Sequence, residues 1–300
     1  MIEIKGVDKE KCIKCLKCVK ACPVNLFQKS PTKVGKKRQV KFSDSVGICI
    51  MCGHCVAICP TDAVVYESEE PFEEFDGIKE PSKICSYDTF MRLTRSRRSI
   101  RQYKDKEVKE KDIEAVLTAM KYAPSSRNAQ KWQYAVVQDQ EVINHMRQAT
   151  IKMLKLLKKL LKYGKYLKFL LPKRYKTMIE DPTREHSLDR QLEELERGGD
   201  HIFYNAPVVI VIYSSVYGSE IMAGNDAGIA FSHGMQAAQT RGLGTCWIGY
   251  AQEAINRTDD LKEELNIDEE MTITGVMVLG HPAAEYRKVP PREPLKIRWI

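Results

Sequence analysis

The feature that most constrains this chain of 300 residues is a cysteine motif that occurs twice near its start. Each copy has the spacing C-x2-C-x2-C-x3-C-P. The first copy contains Cys12, Cys15, Cys18 and Cys22, and the second contains Cys49, Cys52, Cys55 and Cys59. Eight of the ten cysteines therefore belong to an internal duplication.

This spacing is typical of cysteines that bind two 4Fe-4S clusters. In that pattern three closely spaced cysteines bind one cluster, and the fourth, before proline, binds the other. The first cluster is thus expected to take Cys12, Cys15, Cys18 and Cys59. The second is expected to take Cys49, Cys52, Cys55 and Cys22. Zinc, the alternative metal, uses four ligands in two pairs and has no use for such triples.

Reduced thiolates are expected rather than disulfides, because a chain of this length does not need disulfides to stabilise its fold and begins without an apolar secretory signal. It also has no run of eighteen uncharged apolar residues, so we expect a cytoplasmic protein. The formal net charge of +8 is concentrated in residues 147–176, which contain eleven Lys and Arg and no Asp or Glu. Bound clusters would lower this charge, so the basic pI does not indicate a nucleic-acid partner.

Residues 1–70 resemble the bacterial-type dicluster ferredoxins, and the resemblance rests on the two cysteine motifs. It implies a small domain of βαβ-like repeats that transfers single electrons. Between the motifs, the alternating residues near Val40 and the glycine at position 35 predict a hairpin over residues 26–45. Its basic tip is interpreted as solvated, with docking of an acidic partner as the alternative.

Residues 71–90 are acidic, contain two prolines and show no helical or strand period, which predicts a linker. Cys85 matches no ligand motif and is expected to be a small buried residue rather than a redox thiol. From residue 91 to 300 the pattern mixes helices and strands. Strands are predicted at 134–137, 207–213 and 273–279, and helices around 113–120 and 226–241. This order predicts an α+β layered core.

Three short segments of the second part carry its candidate chemistry. The first is R-R-S-I-R at 97–101, whose guanidinium groups and hydroxyl suit a flavin phosphate and ribityl chain. The second is P-S-S-R-N-A-Q-K-W at 124–132, and the third is G-L-G-T-C-W-I-G at 242–249, whose glycines permit close approach to a flat ring. Each has a plainer interpretation: the arginines could cap a helix, Asn128 could close a turn, and the glycines could end a helix.

The order of these segments, with G-H-P at 280–282 and a later arginine, resembles the FMN-dependent nitroreductase family over residues 91–300. The resemblance implies a mainly antiparallel sheet flanked by helices, and a homodimer with FMN in two sites at the interface. It also implies the FMN-binding residues, which are Arg97, Arg98, Ser99, Arg101, Pro124, Ser125, Ser126, Asn128, Gln130, Ile248, Gly249, Tyr250, Arg292 and, as second choice to Arg292, Arg287. Many family members have an acidic residue where Gly249 stands, so contact there is expected from the backbone.

Residues 147–176 place leucines at helical spacing opposite lysines, which predicts an amphipathic cationic helix. Its leucines are expected to pack on the body of the protein. Peripheral contact with a membrane surface and docking of an acidic electron carrier are the alternatives.

Clusters exchange single electrons whereas FMN can also transfer a hydride, so their combination predicts an oxidoreductase that converts between the two. The expected partners are a one-electron carrier such as a ferredoxin or flavodoxin-like protein, and a small nitroaromatic or quinone-like substrate. Flow from NAD(P)H to the clusters is the reverse alternative. A non-catalytic module for electron transfer or redox sensing is the competing class.

Overall fold

The computed structural model describes residues 2–34, 37–74, 80–164, 166, 179–216 and 220–300. The chain divides into two units. The first consists of Met1–Ser86 and Ser125–Gln130, and the second of Tyr87–Pro124 and Lys131–Ile300. The short peptide 125–130 therefore belongs to a different unit from the residues on either side of it.

The first unit has the order β-α-β twice. The first half contains β1 (Ile2–Val7), α1 (Lys17–Ala21) and β2 (Phe27–Val34), and the second contains β3 (Lys37–Phe42), α2 (His54–Ala57) and β4 (Val64–Ser68). β1 pairs antiparallel with β4, and β2 pairs antiparallel with β3. The predicted hairpin is thus confirmed, although its glycine at position 35 lies outside the described residues. The strand pairs join the two halves to each other.

The duplication is visible in the backbone as well as in the cysteines. A shift of 37 residues relates the two motifs, and at three pairs of equivalent positions both residues have a left-handed φ. These pairs are Lys14 (60°) and Met51 (52°), Leu16 (65°) and Gly53 (70°), and Asn25 (57°) and Asp62 (49°). Such φ values are uncommon for residues other than glycine, so the two copies form the same loop.

The second unit is built on a sheet of β5 (Trp132–Val137), β6 (Val208–Ser214), β7 (Gly244–Trp247) and β8 (Thr272–Gly280). The strand order is β5-β6-β8-β7, and all neighbours are antiparallel. The helices are α3 (Tyr87–Ser96), α4 (Glu110–Lys121), α5 (Gln140–Gly164), α6 (Pro182–Glu196), α7 (Glu220–Thr240), α8 (Gly249–Ile255) and α9 (Asp259–Glu264). Short 3-10 turns are formed by Pro81–Lys83 and Ser126–Asn128.

Side chains that alternate along β6 give this sheet two apolar faces. Ile210 packs in one core with Met120 of α4 and Phe231 of α7. Val209 packs in the other core with Met146 of α5. The sheet is therefore covered by helices on both faces, and the predicted α+β layered fold is confirmed.

The predicted strands and helices are confirmed, and the glycine-rich segment 242–249 contains a further strand that was not predicted. Gly242 has a φ of 70° and follows α7, as a helix stop does. Residues Gly244–Trp247 then form β7 and pair with β8. This pairing joins residues thirty or more positions apart along the chain, which a local glycine pattern does not predict.

The cationic segment 147–176 is helical in α5 as far as Gly164, whereas residues 165 and 167–176 lie outside the described part of the chain. Leu154 and Leu161 are buried against Leu188 and Leu192 of α6. The Nζ atom of Lys158 lies 2.6 Å from a carboxylate oxygen of Asp189 in α6. These leucines thus pack on the protein, as the first interpretation expects. None of the described helices is long and apolar enough to cross a membrane.

Two leucines of α5 test this packing. Leu154 is fully buried, whereas Leu156, two residues later, is 65% exposed. Leu154→Ala is expected to lower the free energy of unfolding by about 2–5 kcal/mol, because it removes buried methyl groups and leaves a cavity. Leu156→Ala is expected to change it by less than about 0.5 kcal/mol. Urea unfolding followed by far-UV circular dichroism measures both, and equal shifts would mean that Leu154 does not pack on α6.

Candidate functional site

The cysteines of the first unit are brought together as the motif predicts. Cys12, Cys15, Cys18 and Cys59 line one cavity, with Val40, Val64 and other apolar residues completing its wall. Among the described residues, no group of three or more His, Cys, Asp or Glu side chains is placed to hold a single metal ion. The four cysteines surround a space instead, which suits a cluster of several irons.

The second set of cysteines lies around the same apolar core. Cys55 is buried in this core with Ile2 and Phe27, and Cys22 and Cys49 pack against the core. Cys52 is half-buried. Burial raises the pKa of Cys55 to about 11, and burial also raises the pKa of Cys49 and Cys18. Because a ligating cysteine must be deprotonated, metal binding at these thiols would release protons.

The last cysteine of each motif accepts the same backbone hydrogen bond. The N–H of Leu26 donates to the Sγ atom of Cys22 at 3.3 Å, and the N–H of Ala63 donates to that of Cys59 at 3.2 Å. Burial alone would raise the pKa of Cys59, but N–H groups including those of Thr61 and Ala63 lower it overall. Hydrogen bonds of this kind favour a thiolate, which is the form that binds iron.

In the second unit, the arginines of the R-R-S-I-R segment have different roles. Arg98 donates to the backbone oxygen of Arg95 at 2.7 Å and to that of Arg97, so it caps the end of α3. Arg97 is half-buried. Burial, followed by the positive charges of Arg98 and Arg292, lowers the pKa of Arg97. Arg97 and Arg292 therefore form a cationic group that an anion such as a phosphate would stabilise.

The rest of this segment runs along the edge strand of the sheet. Ser99 forms a bridge with Thr245 of β7, and the N–H of Ile100 donates to the oxygen of Thr245 at 2.9 Å. A Cβ added at Gly244 would overlap the side chain of Ile100, so this position has no room for another residue. Burial raises the pKa of the Cys246 thiol, whereas Arg101 and Ser99 beside it act to lower it.

Tyr204 belongs to this group of residues but was not predicted from the sequence. Burial raises the pKa of Tyr204, whereas the nearby Arg101 acts to lower it. The turn that holds this tyrosine is organised by the buried carboxylate of Asp200, which accepts N–H groups of Ile202, Phe203 and Asn205 at 3.0 Å. An aspartate followed by an asparagine is a turn signal in the sequence, but it does not indicate a partner about a hundred residues earlier.

Most of the remaining predicted residues of the second unit are accessible. Ile248 is buried, and Gly249 and Tyr250 are exposed at the start of α8. A Cβ added at Gly249 would meet nothing within 4 Å, so open space lies beside the backbone there. Pro124, Arg287 and Arg292 are exposed.

The peptide 125–130 is held by hydrogen bonds of the first unit. The Nδ2 atom of Asn128 donates to the backbone oxygens of Ile50, at 3.2 Å, and Met51, at 3.0 Å. These two residues form the gap between Cys49 and Cys52. The hydroxyl of Ser125 accepts the N–H of Gln130 at 3.1 Å, which closes the peptide into a turn.

The backbone of this peptide is unusual. Arg127, Asn128 and Gln130 have φ values of 53°, 55° and 47°. Three residues other than glycine in the left-handed region within four positions cost free energy, and such strain persists where the surroundings impose it. Ser125, Ser126 and Asn128 are half-buried, and Gln130 is exposed.

Cys85 is exposed, so the prediction of a small buried residue is wrong. It lies between the turn Pro81–Lys83 and α3, in a segment whose described side chains are nearly all exposed. A short connection of this kind has no core of its own in which to bury a thiol. Cys246 is the buried one, and it lies beside Ser99 and Arg101.

Comparison with known proteins gives two family matches. The profile described as the nitroreductase family matches residues 94–281, which is more than half of the chain. The profile described as a 4Fe-4S dicluster domain matches residues 11–63.

Individual relatives agree with these matches. A protein of Archaeoglobus fulgidus named for NADH dehydrogenase and NAD(P)H nitroreductase is 28% identical over 200 residues, which cover 65% of this chain and 86% of the relative. Subunit I of an NAD(P)H-quinone oxidoreductase from Gloeobacter violaceus is 36% identical over 72 residues, which cover 23% of this chain and 34% of the relative. A Desulfitobacterium hafniense nitroreductase, solved with bound FMN, is 25% identical with a TM-score of 0.52, covering 70% of this chain and 97% of that one.

The two cysteines outside the motifs are expected to differ in reactivity. Burial raises the pKa of Cys246, even though Arg101 and Ser99 act to lower it, and the side chain is only 4% exposed. Because the thiolate is the form that reacts, iodoacetamide at neutral pH should alkylate Cys85 and spare Cys246 in the folded protein. Peptide mass spectrometry measures this, with urea-unfolded protein as the control in which both react. Equal labelling of the two in folded protein would contradict the burial of Cys246.

Proposed function

This chain belongs to the nitroreductase family and carries a 4Fe-4S dicluster domain, and from that premise we propose an FMN-dependent oxidoreductase in which two clusters exchange electrons with the flavin. The expected direction is from a one-electron carrier through the clusters to FMN. The expected acceptor is a small nitroaromatic or quinone-like compound. This proposal goes beyond the family assignment because it couples the two cofactor sites.

The observation that carries the proposal is the position of the peptide 125–130. By its resemblance to the family this peptide contacts the flavin, and its neighbours in sequence belong to the nitroreductase-like unit. Its own hydrogen bonds, however, are made in the iron–sulfur unit, where Asn128 donates to both residues between Cys49 and Cys52. One short peptide thus connects a cluster-binding loop to the flavin segment.

The residues present fit both kinds of cofactor. The clusters would be held by Cys12, Cys15, Cys18 and Cys59, and by Cys49, Cys52, Cys55 and Cys22. When bound, FMN supplies hydride or two-electron chemistry and the clusters supply single-electron transfer. Arg97 and Arg292 offer an unpaired cationic group for the FMN phosphate, supported by the lowered pKa of Arg97. The open backbone at Gly249 leaves room beside a flat ring.

The protein groups in this proposal bind and orient, and none of them is required as a nucleophile. Ser99 and Arg101, which lie beside the Cys246 thiol, would stabilise negative charge on the ring edge. Asn128 would hold the Cys49–Cys52 loop. Substrate orientation would depend on the space beside Gly249, because this chain has no acidic side chain at that position.

We further propose that the protein is a homodimer, as the family resemblance implies. A groove between α3, α4 and α7 supports this, because it exposes large apolar side chains. Phe90 is 47%, Tyr122 is 67% and Ile229 is 38% exposed. Small residues of α7, including Gly224 and Gly228, line the same groove and would permit close approach of another helix.

Anaerobic turnover tests the proposal against a non-catalytic relay. With reduced ferredoxin as donor, the protein should reduce a nitroaromatic or quinone acceptor over many turnovers. The double variant Cys22→Ser/Cys59→Ser should lose this activity, because each proposed cluster loses a ligand. After direct photoreduction of its flavin, the same variant should still reduce the acceptor. NAD(P)H serves as a second donor, since the Archaeoglobus relative is named for it.

The relay alternative makes a different prediction in the same experiment. Reduced protein would then be reoxidised by one-electron carriers but not repeatedly by the organic acceptor. Full ferredoxin-driven turnover in the double variant would contradict a route through the clusters.

Asn128 tests whether the peptide 125–130 couples the two sites. Asn128→Ala removes two hydrogen bonds to the cluster loop, each worth about 0.5–1.5 kcal/mol. The loop then loses its fixed position, so electron transfer between clusters and flavin is expected to slow. Iron content should not change. Stopped-flow absorbance under reduced ferredoxin measures cluster bleaching and flavin bleaching separately. Arg127→Ala is the matched control, because Arg127 is exposed in the same peptide.

The same variant also tests the contact that the family resemblance implies. If Asn128 holds the flavin as well, Asn128→Ala should release FMN more readily during gel filtration. An unchanged transfer rate together with unchanged flavin retention would contradict both roles.

A further inference from the structure

The two copies of the cysteine motif have the same backbone conformation but differ in the charge of their surface side chains. The first copy has five lysines around its cysteines: Lys9, Lys11, Lys14, Lys17 and Lys20. At the shift of 37 residues, the equivalent positions of the second copy hold Val46, Ile48, Met51, His54 and Ala57. Every lysine of the first loop is therefore absent from the second, although the fold of the loop does not demand either choice.

The first loop is also the more open of the two. Cys15 is exposed, whereas the equivalent Cys52 is half-buried. Ile13 is 52% exposed, whereas the equivalent Ile50 is half-buried and its backbone oxygen accepts a hydrogen bond from Asn128. Electron transfer to an external protein requires close approach to a cluster, and the first loop permits it.

The lysines of this face are available for a partner. Lys9, Lys11, Lys17 and Lys20 are exposed and Lys14 is half-buried. In the described part of the chain, none of the five forms an ion pair within 4.0 Å, whereas the nearby Lys5 is paired with Glu3 and Glu67. Glu10 is the acidic residue between Lys9 and Lys20. Asp8, which precedes them, uses its carboxylate to accept backbone N–H groups of Glu10 and Lys11. The stretch from Lys9 to Lys20 is therefore strongly cationic.

We propose that this lysine face of the first motif, formed by Lys9, Lys11, Lys14, Lys17 and Lys20, is the docking surface for an acidic one-electron carrier protein. The inference rests on the proposed function, and it identifies which loop meets the carrier and the sign of the carrier's surface. Complementary charge at the rim of an interface steers encounter and orients the partner. Each encounter moves one electron between the carrier and the nearer cluster, with no bond made or broken. The carrier is oxidised as the cluster is reduced, or the reverse.

The competing explanation is that the lysines offset the negative charge of the cluster itself. A cluster bound by four thiolates is anionic, and nearby cations would stabilise its reduced form. The two explanations differ in their dependence on the reductant. Docking affects only a carrier with an acidic surface, whereas a change in the cluster affects every reductant.

The test measures cluster reduction in the full holoprotein by stopped-flow absorbance. The reductants are a reduced acidic ferredoxin and reduced methyl viologen, a small cation. Lys11→Glu/Lys17→Glu should slow reduction by the ferredoxin at low ionic strength by about tenfold, and should leave the viologen rate unchanged or faster. Lys109→Glu/Lys111→Glu is the matched control, because it makes the same change of charge at exposed residues of the other unit and should alter neither rate by more than about twofold.

The unmodified protein provides a measurement that does not depend on the folding of any variant. Its rate with the acidic ferredoxin should fall steeply as salt is raised, and this fall should be shallower for Lys11→Glu/Lys17→Glu. If that variant binds less iron, Lys9→Gln/Lys20→Gln replaces it, since both positions lie farther from the cysteines in sequence.

Three results would overturn the proposal. One is a rate with the acidic ferredoxin that does not depend on salt. Another is an equal effect of the two double variants. The third is a parallel fall in the viologen rate, which would assign the lysines to the cluster. Failure of the proposed function gives a different result, because the clusters would then be reduced in a lysine-dependent way without later bleaching of the flavin.

Discussion

The position of Cys59 is the constraint on which the first unit depends. It comes from the end of the second motif, yet it lines the same cavity as Cys12, Cys15 and Cys18 of the first. This cavity is therefore lined by residues of both halves. The strand pairs also join the halves, since β1 pairs with β4 and β2 with β3.

What the sequence predicts well is what local spacing determines. The cysteine loops follow from two-residue gaps, and β6 and β8 follow from apolar runs long enough to be buried on both faces. The strand β7 was not predicted, because its formation depends on pairing with β8. Cys85 was predicted buried from its residue type, but burial depends on whether a core is near, and the segment around it has none.

For the candidate flavin residues, too, the sequence predicts local features but not contacts between distant residues. The arginines at 97, 98 and 101 could be selected from the sequence, but their separate roles could not. Arg98 caps α3, whereas burial and the nearby charges of Arg98 and Arg292 lower the pKa of Arg97. Tyr204 and the partners of Asn128 were out of reach, because these contacts join residues about eighty to a hundred positions apart. Such contacts depend on how the sheet and loops pack, which no local pattern encodes.

The chain has two cationic segments, and the structure separates their roles. In α5, Lys158 lies 2.6 Å from Asp189 and Lys155 lies 3.8 Å from Glu196, so the acidic residues of α6 already offset part of that charge. Leu154 and Leu161 of the same helix are buried against α6, so part of the apolar side of this helix is occupied as well. Among the described residues, no acidic side chain forms an ion pair with the lysines of the first motif. Exposed charges that are not paired attract a partner over roughly a Debye length of about 8–10 Å, whereas paired charges largely cancel at that range. On the proposed function, an acidic carrier would therefore be drawn to the cluster loop rather than to the more basic helix, although the helix contributes more to the net charge.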